Sequence, residues 1–357
     1  MDYKADTTNI SIDLKTDPST RAMQYINGNL YWWNSNRGTI SVFNISSKNQ
    51  TSTIKLHEDG PNGIGSPLGF FVINSDSIYI PTMAYEINLV NSKGQRVAKY
   101  DYNNLSKLGV VIPSMTRYSN MAQADNSGKI YFKMRDLNII SPSDLNEKAL
   151  LEYPPILSFD INNQTFRYLD FKVPPSFLKF ENSIDFGIAA SQNSILLLHN
   201  QSSTLLEVNF NGVDYEQHQL QSTLIKNFSN IYYKSPRMSS SIDNNMRLLY
   251  KSAQNLGMAY DTKNKMIYRF GWPGEEIPDG IDPMEYSANL PYFILSIYDD
   301  EDYSLLQEFT LPRNTYLAHH YFVDEKGLNL FPMHPDNPEF NEDEMVIHTF
   351  DFSSLKK

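Results

Sequence analysis

Val42-Phe43-Asn44-Ile45-Ser46-Ser47-Lys48-Asn49-Gln50-Thr51 reads as an apolar strand that runs into an asparagine, a short polar turn and a second strand. The unit returns as Leu89-Val90-Asn91, Ser158-Phe159-Asp160, Glu207-Val208-Asn209, Ala259-Tyr260-Asp261, Ile297-Tyr298-Asp299 and Thr349-Phe350-Asp351. Successive Asn/Asp positions are 47, 69, 49, 52, 38 and 52 residues apart, a mean near 51. Asn and Asp suit the place because their side chains bond the backbone two residues on and tolerate left-handed geometry. A repeat of this length made of short strands is the pattern of propeller blades.

A second hairpin precedes most of these units: Tyr25 to Trp32, Val72 to Ile80, Ala122 to Phe132, Ala189 to Leu198, Ser241 to Tyr250 and Phe322 to Leu330. The pattern predicts an all-β propeller of four-stranded antiparallel blades, this hairpin inner and the Asn/Asp hairpin outer. Seven marks predict seven blades. The inner hairpin is missing before Asp299, where residues 273–291 read as a loop, so six blades with an inserted hairpin is the competing count. The last unit stops at Ser353-Ser354-Leu355-Lys356-Lys357, short of an outermost strand. Asn9 to Leu14 alternates apolar and polar and is expected to supply that strand and close the ring, with residues 1–8 flexible. Residues 142–155 read as an inserted helical or loop segment in one domain spanning 1–357.

The 357 residues carry 41 Asp+Glu against 30 Lys+Arg, a net charge of −11 that argues against nucleic-acid binding. With no cysteine there is no thiol nucleophile, disulfide or thiolate metal site. No apolar run is long enough for a membrane-spanning helix, and residues 1–8 have neither the basic nor the apolar region of a signal peptide. Either the protein is cytoplasmic as it stands or Met1 replaces a removed targeting segment.

Four arginines stand near strand entries, Arg21, Arg117, Arg237 and Arg313, the last just ahead of Tyr316. If they converge at the channel mouth they would read a carboxylate or phosphate by paired guanidinium bonds. The plainer reading pairs each with an acid or carbonyl of a neighbouring blade. Glu58-Asp59-Gly60-Pro61-Asn62-Gly63-Ile64-Gly65 is either an anion-binding nest including Asn62 or a tight connection between blades. His319 and His320 are adjacent, so in a strand they face opposite ways and cannot share a metal; one, taken as His319, could line the channel near Tyr316. Trp32 or Trp33 could form a sugar-stacking platform, against the plainer reading of core packing. The acidic stretches Asp299 to Asp302 and Asp336 to Glu344 lack the alternate-residue ligand pattern of a Ca²⁺ loop, so solvated tips are expected. No catalytic residue, metal site or cofactor is expected from spacing alone.

The Glu58–Gly65 stretch resembles a glycine-rich signature of the Bacteroidetes lipoprotein family called domain of unknown function 4221. So do Tyr260-Asp261 with Tyr268-Arg269-Phe270, Ile297-Tyr298-Asp299, Leu311 to Tyr316, and Gly327-Leu328. The resemblance implies a β-propeller exported and tethered through a lipidated cysteine, hence a periplasmic or cell-surface lipoprotein that touches the membrane only through its anchor. That cysteine and a signal peptide are absent from this sequence. No activity comes with the resemblance. The expectation is an envelope-associated scaffold binding an anionic or carbohydrate ligand, or a protein, at the channel mouth. The alternative is a hydrolase or lyase using acids or Ca²⁺ there.

Overall fold

In each sheet the second strand is largely buried on both faces while the outermost strand is more exposed. Ser194–His199 and Met266–Trp272 are buried throughout, whereas Arg96–Asp101 alternates along its length. A strand reads as uninterrupted hydrophobe only when other sheets cover both of its faces, and a stack of face-packed blades does this. The computed structural model describes residues 3–105, 111–113, 122–125, 127–136, 147–152, 155–174, 177, 185–228 and 241–356.

Among the described residues the strands form six sheets. Strand β1 (Lys4–Ser11) precedes the first sheet, which is β2 (Met23–Ile26), β3 (Asn29–Asn34), β4 (Thr39–Asn44) and β5 (Asn49–Lys55). The second is β6 (Phe71–Asn74), β7 (Ser77–Pro81), β8 (Glu86–Val90) and β9 (Arg96–Asp101). In the third, β10 (Val111–Pro113) and β11 (Ala122–Ala124) both pair with β12 (Lys129–Asp136), which is followed by β13 (Ile156–Asp160) and β14 (Thr165–Tyr168). Helix α1 (Glu147–Glu152) lies between β12 and β13, inside the expected insertion. The fourth sheet is β15 (Phe186–Ala190), β16 (Ser194–His199), β17 (Thr204–Asn209) and β18 (Tyr215–Gln219). After helix α2 (Ile242–Tyr250) the fifth holds β19 (Gln254–Asp261), β20 (Met266–Trp272), β21 (Ile294–Asp299) and β22 (Leu305–Thr310), with helix α3 (Pro283–Ala288) between β20 and β21. The sixth is β23 (Tyr321–Asp324), β24 (Gly327–Leu330) and β25 (Glu344–Phe350), with β1 pairing antiparallel on β25.

The core lies between neighbouring sheets rather than within any one. Tyr31, Trp33 and Ile40 of the first sheet pack with Ile78 and Ile80 of the second. Leu30, Trp32 and Phe43 pack with Phe322, Phe331 and Met345 of the sixth and with Ile10 of β1. Sheets 4 and 5 are pinned by Arg269, fully buried, which donates from Nε to Asn255 Oδ1 (2.7 Å) and from Nη1 to Leu220 O (2.8 Å). Asn255 in turn donates to the carbonyls of His199 and Ser202.

The structure corrects the blade count from seven to six. The Asn/Asp marks are turn residues: Asn44, Asn91, Asp160, Asp261, Asp299 and Asp351 each accept a backbone N–H two or three residues on. Asp261, however, ends β19 and turns the inner hairpin, while Asp299 turns the outer hairpin of the same sheet. The 38-residue interval is therefore internal to one blade.

The hairpin expected from Ser241 to Tyr250 is instead α2. Ser241 caps it by accepting from Asn244 N, and Met246, Leu249 and Tyr250 fall at helical spacing on the core. Residues 273–291 carry α3, capped by Asp282, and Arg247 of α2 holds this stretch through the carbonyls of Ile277 and Ile281. The terminal strand covers Lys4–Ser11 rather than 9–14, so residues 4–8, expected to be flexible, are paired.

Candidate functional site

Hairpin turns of the fourth and fifth sheets meet around a pocket of about 220 Å³ lined by polar side chains. The β15–β16 turn contributes Ser191, Gln192 and Asn193, the β19–β20 turn Lys265, and the β21–β22 turn Asp300 and Tyr303; Glu207 of β17 and Tyr260 of β19, with Leu196 and Ile267, complete the wall. Lys265 and Tyr303 have φ of 53° and 60°, as do Lys48 and Gln164 at 57° and 55° in other hairpin turns, so this backbone is a turn habit of the fold.

The carboxylates are held by hydroxyls. Tyr303 donates to Glu207 Oε2, and Ser194 Oγ to Glu207 Oε1 at 2.7 Å. Tyr260 donates to Asp300 Oδ2 at 2.7 Å, while Lys356 Nζ lies 3.0 Å from Asp300 Oδ1 and 3.0 Å from Asp299 Oδ2. Burial and the carboxylate partners push both tyrosines far above their ordinary pKa, so each keeps its proton and stays a donor. Each carboxylate oxygen has two lone pairs, which leaves acceptor capacity facing the pocket.

Beside the pocket, Glu207 and Glu216 stand directly opposite in the β17–β18 ladder, and His218 follows two residues on, on the same face. His218 Nε2 is 3.3 Å from Glu207 Oε2 and 3.8 Å from Glu216 Oε2, and its ring stacks on Tyr303 at 3.8 Å. Among the described residues, these are the ones whose donor atoms could hold a metal.

The sequence-derived candidates lie mostly at the opposite end of the sheets, where inner strands begin. Arg21, exposed, precedes β2, and His319, buried, precedes β23. The segments that precede β2 and β23 meet through His320, whose Nε2 lies 3.1 Å from Thr20 O. Arg313 turns away to Glu275 Oε2 (3.1 Å) and stacks on Tyr292, whose hydroxyl bonds the same carboxylate. Tyr316 is buried and its hydroxyl meets His348 Nδ1 at 2.8 Å; burial pushes it up to about 12. Arg117 and Arg237 lie outside the described residues.

Asn62 sits in the connection between β5 and β6, where the amides of Gly63, Ile64 and Gly65 donate to the carbonyls of Gly60, His57 and Glu58. Arg96 clamps the loop through Gly63 O and Pro61 O. Those amides are spent internally rather than offered to an anion. A side chain at Gly63 would strike Asp59 backbone at 2.7 Å, which explains a glycine there. Trp32 and Trp33 are both buried, so neither is a stacking platform.

The pocket residues were missed because they come from three separate turns and the strands between them. The available signal was the hairpin-turn chemistry itself, which placed Asp261 and Asp299 but not what their neighbours face.

Six packed antiparallel sheets with a polar pocket between two of them define a six-bladed β-propeller with an inter-blade site. The chain belongs to the family described as Domain of unknown function (DUF4221), whose sequence profile matches residues 1–310. A crystal structure of a DUF4221 member from Bacteroides vulgatus is 19% identical and superposes with a TM-score of 0.82, covering 98% of this chain and 97% of that one. A proposed exported protein from Bacteroides fragilis is 11% identical, TM-score 0.58, covering 96% and 93%. The calcium-binding protein regucalcin from Agrobacterium tumefaciens is 11% identical, TM-score 0.51, covering 93% and 91%. At these identities the likeness is one of fold. No curated protein matches the chain in sequence.

Proposed function

We propose that the protein is a binding module of the cell envelope that takes a small polyhydroxylated ligand, a sugar or sugar fragment, in the pocket between the fourth and fifth blades. The observation that carries this is the pocket wall: two carboxylates held by tyrosine hydroxyls, with the side chains of Asn193 and Lys265 on the same wall. Such a set offers acceptors and donors to vicinal hydroxyls, and few polar groups placed in a concavity are what fixes a small ligand. Glu207 and Asp300 disfavour an anion here, so the neutral member of the two expected ligand classes is preferred. An exported location is supported by the family resemblance and by the proposed exported protein of the same fold.

Calorimetric titration of the full chain with a panel of mono- and disaccharides tests the reading. One ligand binds at millimolar affinity or better, and Asn193→Ala and Tyr260→Phe each weaken it by about tenfold, ~1.4 kcal/mol. Asn193 is exposed, so its variant leaves the fold intact. No binding across the panel, or binding indifferent to both substitutions, sinks the assignment. Release of a cleaved product in the same titrations would turn the binder into the hydrolase or lyase alternative.

A further inference from the structure

We infer that Glu207, Glu216 and His218 form a site for a divalent first-row transition-metal ion of the zinc type. The strand register supplies the first reason. Glu207 and Glu216 are direct cross-strand partners, and like charges in that position repel unless something between them is positive. Among the described residues neither carboxylate has a lysine or arginine ion-pair partner; His218 alone faces both.

The geometry supplies the second. His218 Nε2 is buried and makes no hydrogen bond, although Glu207 Oε2 lies 3.3 Å away and Glu216 Oε2 3.8 Å away. The nitrogen is therefore near both carboxylates but not aligned to donate to either. Two ligands each about 2.1 Å from a tetrahedral metal are ~3.4 Å apart, close to the 3.3 Å between His218 Nε2 and Glu207 Oε2. The three donor atoms all lie within 4.8 Å of one another. Glu216, with a side chain 78% exposed, can close the remaining gap without disturbing the core.

The surroundings supply the third. The Tyr303 ring stacks on the imidazole at 3.8 Å, and its hydroxyl bonds Glu207 Oε2, while Ser194 Oγ holds Oε1 at 2.7 Å. Ligating histidines and carboxylates are oriented in this way by outer partners. Imidazole with two carboxylates suits zinc-type ions better than Ca²⁺ or Mg²⁺, which take all-oxygen sets. Three protein ligands leave a fourth position for water or a ligand atom. Glu207 also lines the inter-blade pocket, but the metal site needs no sugar and stands or falls separately.

The test uses the full chain, stripped with a chelator, and metal alone. Titration with zinc chloride gives one ion per chain, and Co²⁺ gives visible d–d absorption. Glu216→Gln and His218→Gln each weaken zinc binding by more than about tenfold, and His218→Gln removes the Co²⁺ bands. The metal-free unfolding midpoint of Glu216→Gln stays at or rises above the wild-type value, because the variant relieves the cross-strand repulsion, and this separates lost ligation from lost folding. Absence of stoichiometric uptake, or uptake undiminished in the Glu216→Gln/His218→Gln double variant, overturns the assignment.

Discussion

Glu308 of β22 shows how a single charged residue carries structure here. Burial opposes its ionisation, but the hydroxyls of Ser222, Ser296 and Thr223 and the Thr223 amide outweigh that and hold its carboxyl below the usual range. A carboxylate with a depressed folded pKa adds stability above its unfolded value, about 4.3, and loses it as pH falls through the folded one. Glu308→Gln is expected to cost about 1–2 kcal/mol at pH 7, discounted for partial exposure, and less at pH 3; urea midpoints at the two pH values check it. Arg313 and Arg96 teach the complementary lesson. Both are basic residues at strand ends, and the first is satisfied by Glu275 while the second clamps carbonyls 33 and 35 positions back in the chain. Nothing in local spacing announces such partners, so a sequence can nominate an arginine but cannot say whether it is free.

At the scale of elements, β1 bridges the two ends of the chain. Its exposure alternates, with Thr8 and Ile10 buried and their neighbours exposed, and Ile10 enters the core shared by the first and sixth sheets. Ile10→Ala is expected to cost about 2–4 kcal/mol, a large-to-small core deletion, while Asn9→Ala on the exposed face stays within about 0.5 kcal/mol. Thermal or urea unfolding of the two variants side by side checks the contrast. The alternating pattern of this strand was visible in the sequence, though displaced by several residues, because period two survives a small shift of boundaries. Helix α2 was not visible as a helix. Its Ser241 cap and Met246, Leu249, Tyr250 spacing sit in a stretch whose neighbours all read as strands, and the short segment fits either period.

For the whole molecule, net charge and buried histidines act in the same pH range. Burial holds His199 down to about 3; burial together with the Lys4 ammonium holds His348 down to about 4. Both are neutral in the folded chain at pH 5 while the unfolded chain, with histidines near 6.5, takes up protons, so stability falls as pH drops from about 6.5 toward 4. His199 alone accounts for ~2 kcal/mol between pH 7 and 5, and partly exposed His348 for less. The −11 charge also vanishes near the isoelectric point of about 5.1, so solubility should be lowest there. Denaturation at pH 7 and 5 checks the first, with His348→Gln flattening the slope, and light scattering across pH 4 to 7 checks the second. The fold class and the positions of most outer turns were legible by sequence alone. Strand periodicity and Asn/Asp turn chemistry are local, and they repeat. The blade count, the α2–α3 elaboration, and the meeting of Glu207, Glu216, His218, Asp300 and Tyr303 were decided only by tertiary structure. They depend on which sheet each hairpin joins and which face it turns to its neighbour, and those are set by packing between residues far apart in the chain, 96 positions for Glu207 and Tyr303 and 300 for Thr20 and His320.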